Sequence, residues 1–339
     1  MKKSTLYLVF LAFSLTLINS PVLGADKSAA EFYQGKTVEF VIPMGVGGGT
    51  DRLCRTIIPY FEKRLGCKLV PKNKTGAGGL IGLNYMWEAK KNGLVIGMAT
   101  LMGAVWGEIT ESNAVRFETD KFNLVGGVER QAMIISTAKD SPYKTINDVF
   151  DSKKKLLLGV PGKLSPMHVL VVFVADAWGF DVKTISGYKG AAGMMKAVEG
   201  GEVDIVCASP IPSKPRIEAG TIRPLAYVTT ERQEIFPDVP AINEFTVKNK
   251  AALERLLSTI WLYRYERSII MPPGVPEDRV HFVREALKET LKDPGLIEEG
   301  KKSGIFIMFT GPEEYDKQIS KLMKGMSAEE KAYVKKLLQ

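Results

Sequence analysis

The chain has 339 residues, 45% of them hydrophobic and 25% charged, which describes a globular protein with mass for two lobes and excludes collagen, coiled coil and wholesale disorder. Lys and Arg number 46 against 38 Asp and Glu, giving +8; loss of Lys2 and Lys3 with the leader described next leaves 44 − 38 = +6. The densest basic runs, Lys153-Lys154-Lys155 and Lys301-Lys302, are short and isolated, which argues against nucleic acid as a partner.

Met1-Lys2-Lys3, an apolar run over residues 6–18, and small residues at Gly24 and Ala25 have the layout of a secretory signal peptide. The expectation is export to the periplasm with cleavage near Gly24 or Ala25. The apolar core, about 13 residues, falls short of the roughly 20 needed for a spanning helix. No cysteine stands at the cut to carry a lipid. Cys54, Cys67 and Cys207 are expected as buried free thiols. His168 and His281 are the only histidines, so neither a metal nor a cofactor is expected.

Residues 36–43 read as a strand running into Gly45, Gly47, Gly48 and Gly49, after which Leu53, Ile57, Ile58, Phe61 and Leu65 recur at helical spacing. Residues 68–71 form a second strand, 73–79 a second glycine loop, 80–90 a second helix and 94–99 a third strand. Strands alternating with helices predict a parallel, doubly wound α/β sheet. A second set follows: strands at 132–137, 155–160, 182–186 and 203–208, with helices from 145, at 167–178 and at 190–200. One more strand at 223–228 precedes helices at 251–262, 277–291, 312–322 and near 327–338. Crossings near 126–130 and 227–230 divide the chain into a signal peptide (1–25), lobe 1 (26–127 plus 229–339) and lobe 2 (128–228).

In the loop from Pro43 to Asp51, glycines allow a tight turn and expose amides, and Thr50 is placed to cap the next helix. Such a loop suits an anion, through its amides and the positive helix end, although a plain strand-to-helix turn reads the same way. The third glycine of a dinucleotide fingerprint is missing, and no Gly-Lys-Ser/Thr follows. The second glycine loop opens at the same end of a parallel sheet and faces the same crevice. From lobe 2, Ser165 reads as an N-cap with Pro166 at the first helical position. His168 in the first turn is either a packing or capping group or a ligand contact. Tyr188 and Ser209 also end strands where a cleft would lie.

The candidate binding residues of lobe 1 are therefore Met44, Gly47, Gly48, Gly49, Thr50 and Asp51 on the first loop and Thr75, Gly76, Ala77, Gly78 and Gly79 on the second. Those of lobe 2 are Ser165, Pro166, His168, Tyr188 and Ser209. No Gly-x-Ser-x-Gly elbow is present, and a Ser/His/Asp set would have to use His168 or His281, so no catalytic residue is expected.

Val41-Ile-Pro-Met-Gly-Val-Gly-Gly-Gly-Thr-Asp51, Asn73-Lys-Thr-Gly-Ala-Gly-Gly79, Tyr188-Lys-Gly-Ala191, Gly201-Glu-Val-Asp204, Arg223-Pro-Leu-Ala226, Phe236-Pro-Asp-Val-Pro240 with Glu244, and Pro272-Pro-Gly-Val-Pro276 occur in this order. In this the chain resembles, over nearly its whole mature length, the Bug-type extracytoplasmic solute-binding proteins of tripartite tricarboxylate transporters. The resemblance implies a two-lobed periplasmic-binding-protein type II fold, each lobe a doubly wound sheet flanked by helices. It implies a monomer that closes on one small organic carboxylate and presents it to membrane permease subunits, with no catalysis. On the family pattern, residues 47–51, 75–79 and 165–168 would hold carboxylate oxygens, partly through ordered water. This chain departs from the pattern at Met44, where the family usually has Phe, and at Lys163-Leu164-Ser165-Pro166, which replaces a glycine/serine-rich turn. It also departs over residues 248–267, a longer helical stretch with Trp261, Tyr263 and Tyr265. Readings from other classes are a ligand sensor for a two-component system and an exported enzyme acting on a carboxylated metabolite.

Overall fold

A computed structural model describes residues 28–129 and 132–338; the expected leader lies outside the described residues. The strands are β1 (Thr37–Ile42), β2 (Lys68–Asn73), β3 (Val95–Thr100), β4 (Asn123–Glu129), β5 (Ile134–Ala138), β6 (Leu156–Val160), β7 (Val182–Ser186), β8 (Ile205–Ala208), β9 (Ile222–Tyr227), β10 (Arg267–Met271) and β11 (Ile307–Thr310). They form a six-stranded sheet, β11-β4-β10-β3-β1-β2, and a five-stranded sheet, β7-β6-β8-β5-β9. Both are covered by helices on their faces, as the near-continuous apolar strands require: Val38, Phe40, Val41 and Ile42 of β1 are all fully buried.

The expectation of a purely parallel sheet is corrected. β2, β1 and β3 are parallel, as are β7, β6 and β8, but β10 runs antiparallel to β3 and β4, and β5 runs antiparallel to β8 and β9. The reason lies in the connections. The chain leaves the first sheet at the end of β4 and enters the second at β5, then leaves at β9 and returns at β10. A strand that arrives from the neighbouring sheet enters at the edge facing that neighbour, which is where the parallel strands end, so it must run against them. The same geometry points the carboxyl ends of β1, β2, β6, β7 and β8, and hence their loops, at the boundary between the two sheets.

Helix Leu101–Ile109 follows β3 but is sheathed in side chains from both halves. Trp106 meets Phe173 of helix Pro166–Trp178 edge to face, ring centres 4.9 Å apart, both rings fully buried. The stretch expected as a helical insertion is helix Lys250–Tyr263, which packs along Pro166–Trp178. Its Arg255 Nη2 donates to Asp176 at 2.6 Å, and Tyr333 from the last helix, Ala328–Leu337, donates to the same carboxylate at 2.5 Å. Cys54, Cys67 and Cys207 are free and buried. Among the described residues no helix is long and apolar enough to cross a membrane.

Candidate functional site

The first glycine loop ends at Gly48, which is the N-cap of helix Gly49–Leu65 and offers no side chain to it. Thr50, expected to cap, sits inside the first turn and is buried, because the glycine run lets the helix begin one residue before it. The first intrahelical bond in this turn is donated by the Arg52 amide to the Gly48 carbonyl at 2.9 Å, so the Gly49, Thr50 and Asp51 amides lie ahead of it. Gly47, Gly48 and Gly49 are solvent-exposed.

Asp51 points the other way. Its carboxylate is 1% exposed and accepts the Gly47 amide at 2.8 Å, Arg55 Nε at 3.0 Å and Asn73 Nδ2 at 2.8 Å. Burial pushes this carboxyl up, but the bonds from Arg55, Asn73 and Gly47 outweigh it and hold the group below the ordinary aspartate range. Asn73 Nδ2 also donates to the Met44 carbonyl at 2.8 Å, tying the base of the second loop to the first.

That second loop is built from backbone that side chains rarely adopt: Gly76, Ala77, Gly78 and Gly79 have φ of 131°, 47°, 67° and 105°. Ala77 carries a cost of roughly 1–2 kcal/mol there. The turn is held by the Gly79 amide on the Gly76 carbonyl at 3.0 Å and by Thr100 Oγ1 donating to the Gly78 carbonyl at 3.3 Å. Thr75, Ala77 and Gly78 are exposed. The two loops touch: a side chain at Gly79 would stand 3.3 Å from the Met44 methyl and 3.4 Å from Pro43.

In the five-stranded half, Ser165 is the N-cap of Pro166–Trp178, accepting the His168 amide at 3.4 Å with Pro166 first in the helix. The preceding residue, Leu164, adopts φ 62° and reaches across to Gly103 and Gly107 of helix Leu101–Ile109. His168 is buried, with Nδ1 lacking a partner among the described residues; burial, aided by Lys163, pushes its pKa down to about 4 and keeps the ring neutral. Tyr188 donates its hydroxyl to Glu202 at 2.6 Å. Ser209 is the N-cap of helix Pro210–Glu218, its hydroxyl beside Met133 Sδ at 3.9 Å.

A cavity of about 740 Å³ opens between the halves. Of the candidate residues, Gly49 and Ser209 line it; the second loop and residues 165–168 do not. The residues that sequence reasoning missed are Arg52, Glu129 and Arg267. Arg267, first in β10, and Glu129, last in β4, meet at the cleft edge of the sheet and form an ion pair through Nη1. Arg267 Nη2 lies 3.4 Å from where a Gly49 side chain would begin, so the guanidinium stands against the start of a helix. Beside it Glu266, 6% exposed, accepts the Met102 amide at 2.8 Å; burial raises its pKa to about 7 against that bond and the Arg267 charge. The cavity is rimmed by a contact between halves, in which Ile211 sits over Gly304, where a β-carbon would fall 2.2 Å from its methyl. Among the described residues no His/Cys/Asp/Glu group could hold a metal.

Residues 53–338 match the family model described as the tripartite tricarboxylate transporter family receptor. A UPF0065 protein from the TAR-I ttuE-ttuC' intergenic region of Agrobacterium vitis is 26% identical over 290 residues, covering 84% of this chain and 80% of the relative. Among solved structures, the periplasmic binding protein BugD superposes with a TM-score of 0.67 at 24% identity, over 90% of this chain and 98% of BugD. MatC from Rhodopseudomonas palustris, with bound malate, superposes with a TM-score of 0.67 at 18% identity, over 90% of this chain and 99% of MatC. The family and these solved neighbours are substrate-binding proteins and not enzymes, and the neighbours' fold is that of the two helix-flanked sheets described above. With the family model spanning most of its length, this chain belongs to the tripartite tricarboxylate transporter receptor family.

Proposed function

We propose that the chain is an exported, monomeric receptor that takes a small organic carboxylate between its six-stranded and five-stranded halves and delivers it to the permease of a tripartite transporter. The observation that carries this reading is the pair of touching glycine loops. Each opens at the carboxyl end of a parallel strand, the first leaves the Gly49, Thr50 and Asp51 amides ahead of the first intrahelical bond, and Asp51 and Asn73 fix one loop to the other. Backbone donors at a helix start favour a carboxylate, and a rigid cradle lowers the ordering cost of binding. The malate in MatC is a ligand of that chemistry. Water-bridged contacts leave such a site able to release what it holds.

A thermal-shift screen with mono-, di- and tricarboxylates tests the reading. A true ligand at about 100 times its Kd stabilises by roughly 2.7 kcal/mol, and the acid is recovered unchanged. A panel in which no carboxylate raises Tm rejects the receptor reading, and consumption of the acid rejects binding without chemistry. Amino-terminal sequencing of protein from the periplasm tests export, the expected first residue being Ala25 or Asp26.

A further inference from the structure

We infer that the cavity beside Arg267 sets the ligand class, and that it takes a monocarboxylate with an apolar body, aromatic or medium-chain alkyl. This rests on the carboxylate-receptor reading and goes further by assigning the part of the ligand that the glycine loops do not touch.

The volume, about 740 Å³, lies in the upper part of the range of roughly 300–1,000 Å³ in which pockets enclose drug-sized ligands. One end is cationic. Arg267 spends Nη1 on Glu129, but a guanidinium has five N–H donors in a fixed fork, and its Nη2 faces Gly49, with Arg52 one turn along on the same wall. Glu129 balances the Arg267 charge, so Arg52 and the helix start make this wall attractive to an anion.

Beside it, on the strand next to Glu129, the lining is apolar in an unusual way. Residues 305–309 read Ile-Phe-Ile-Met-Phe. Ile305, Ile307 and Phe309 pack against the core of the six-stranded half, Phe306 and Met308, on the alternate face, are 50% and 42% exposed, and residues 305–308 all line the cavity. β11 is an edge strand, where the outward face is ordinarily polar. Two large apolar groups there, with Ile211 and Ile235 from across the gap, make a wall that a ligand body would dry. Methionine adapts its shape to an irregular guest. Glu234 on the same lining disfavours a second carboxylate, and Arg232 there is already paired with Glu244, which selects a monocarboxylate over a citrate-like acid.

Isothermal titration of the purified protein with 3-phenylpropionate, hexanoate and malate tests this. Both apolar acids should bind at least tenfold more tightly than malate. Met308→Glu, at an exposed position, should weaken the two apolar acids at least tenfold while leaving the ligand-free Tm unchanged. Arg267→Lys, which keeps the charge opposite Glu129 but loses the fork, should weaken all binding. Malate binding alone, or apolar acids indifferent to Met308→Glu, overturns the assignment and leaves the receptor reading standing. If none of the three acids binds and the wider carboxylate panel is also silent, both fall.

Discussion

The two halves begin their boundary helices differently. In the six-stranded half, helices Gly49–Leu65 and Leu80–Trp87 have Gly48 and Gly79 as N-caps, which offer no side chain; the first turn of Gly49–Leu65 keeps its amides open, whereas the Gly79, Leu80 and Ile81 amides bond the Gly76 and Ala77 carbonyls. In the five-stranded half, Pro166–Trp178 and Pro210–Glu218 both start Ser-Pro. Proline deletes the first donor, and at Ser165 the hydroxyl occupies another. Of these four helix starts, Gly49–Leu65 is the one with open amides, and the five-stranded half adds a further uncapped start at Gly190–Glu199.

The largest effect expected on this asymmetry comes from Asp51→Ala. It strands the Gly47 amide and Asn73 Nδ2 and cuts the tie between the glycine loops, so urea unfolding should show a loss of about 2–4 kcal/mol. Asp51→Asn should recover part of it. Next comes Gly79→Ala, where φ of 105° and a β-carbon 2.5 Å from Thr100 Oγ1 combine to cost about 2–4 kcal/mol. Gly78→Ala, with φ of 67° and nothing within 4 Å, should cost only about 1–2 kcal/mol. Equal losses would mean that contact with Thr100 does not shape the loop.

Glu266 makes the comparison pH-dependent, since it holds the start of helix Leu101–Ile109 through the Met102 amide. Its folded pKa, about 7, lies above the ordinary 4.5. Its contribution to stability is thus complete below about pH 4.5 and is lost as pH rises through 7. Glu266→Gln should gain on the wild type between pH 5 and 8, on the order of 1–3 kcal/mol in denaturation midpoints converted to free energy. A constant difference across that range would remove Glu266 as the titrating group. A smaller effect should come from Ser165→Ala, about 0.5–1 kcal/mol for a lost N-cap. Ser209→Ala should cost less still, because its hydroxyl makes no cap bond.

What the sequence made legible follows from how local each cause is. The glycines at 76, 78 and 79 announce themselves because their φ values suit little else, and Ser165-Pro166 is read correctly because an N-cap spans three residues. Thr50 misled for a related reason: glycine at 48 and 49 leaves the helix start undetermined by one or two residues. The inward turn of Asp51 could not be read, since it depends on Asn73 from another strand. The pairing of Glu129 with Arg267 joins positions 138 apart through a strand order that only the two crossings create. β4, whose end at 126–129 was expected as a crossing, and β10 and β11 were invisible for the same reason. They lack the strand-glycine-helix rhythm, and residues 305–309, apolar on both faces, carry no alternation to mark them.

The edge-to-face packing of Trp106 on Phe173 gives this boundary a built-in optical reporter. An indole sealed from water and set against a ring from the opposite half emits at short wavelength. Any rearrangement that separates the two rings or admits solvent will shift that emission to the red and change its intensity. Ligand-driven motion can therefore be followed in the unlabelled protein, and Phe173→Leu, which removes the neighbouring ring while keeping the site apolar, identifies how much of the signal arises there.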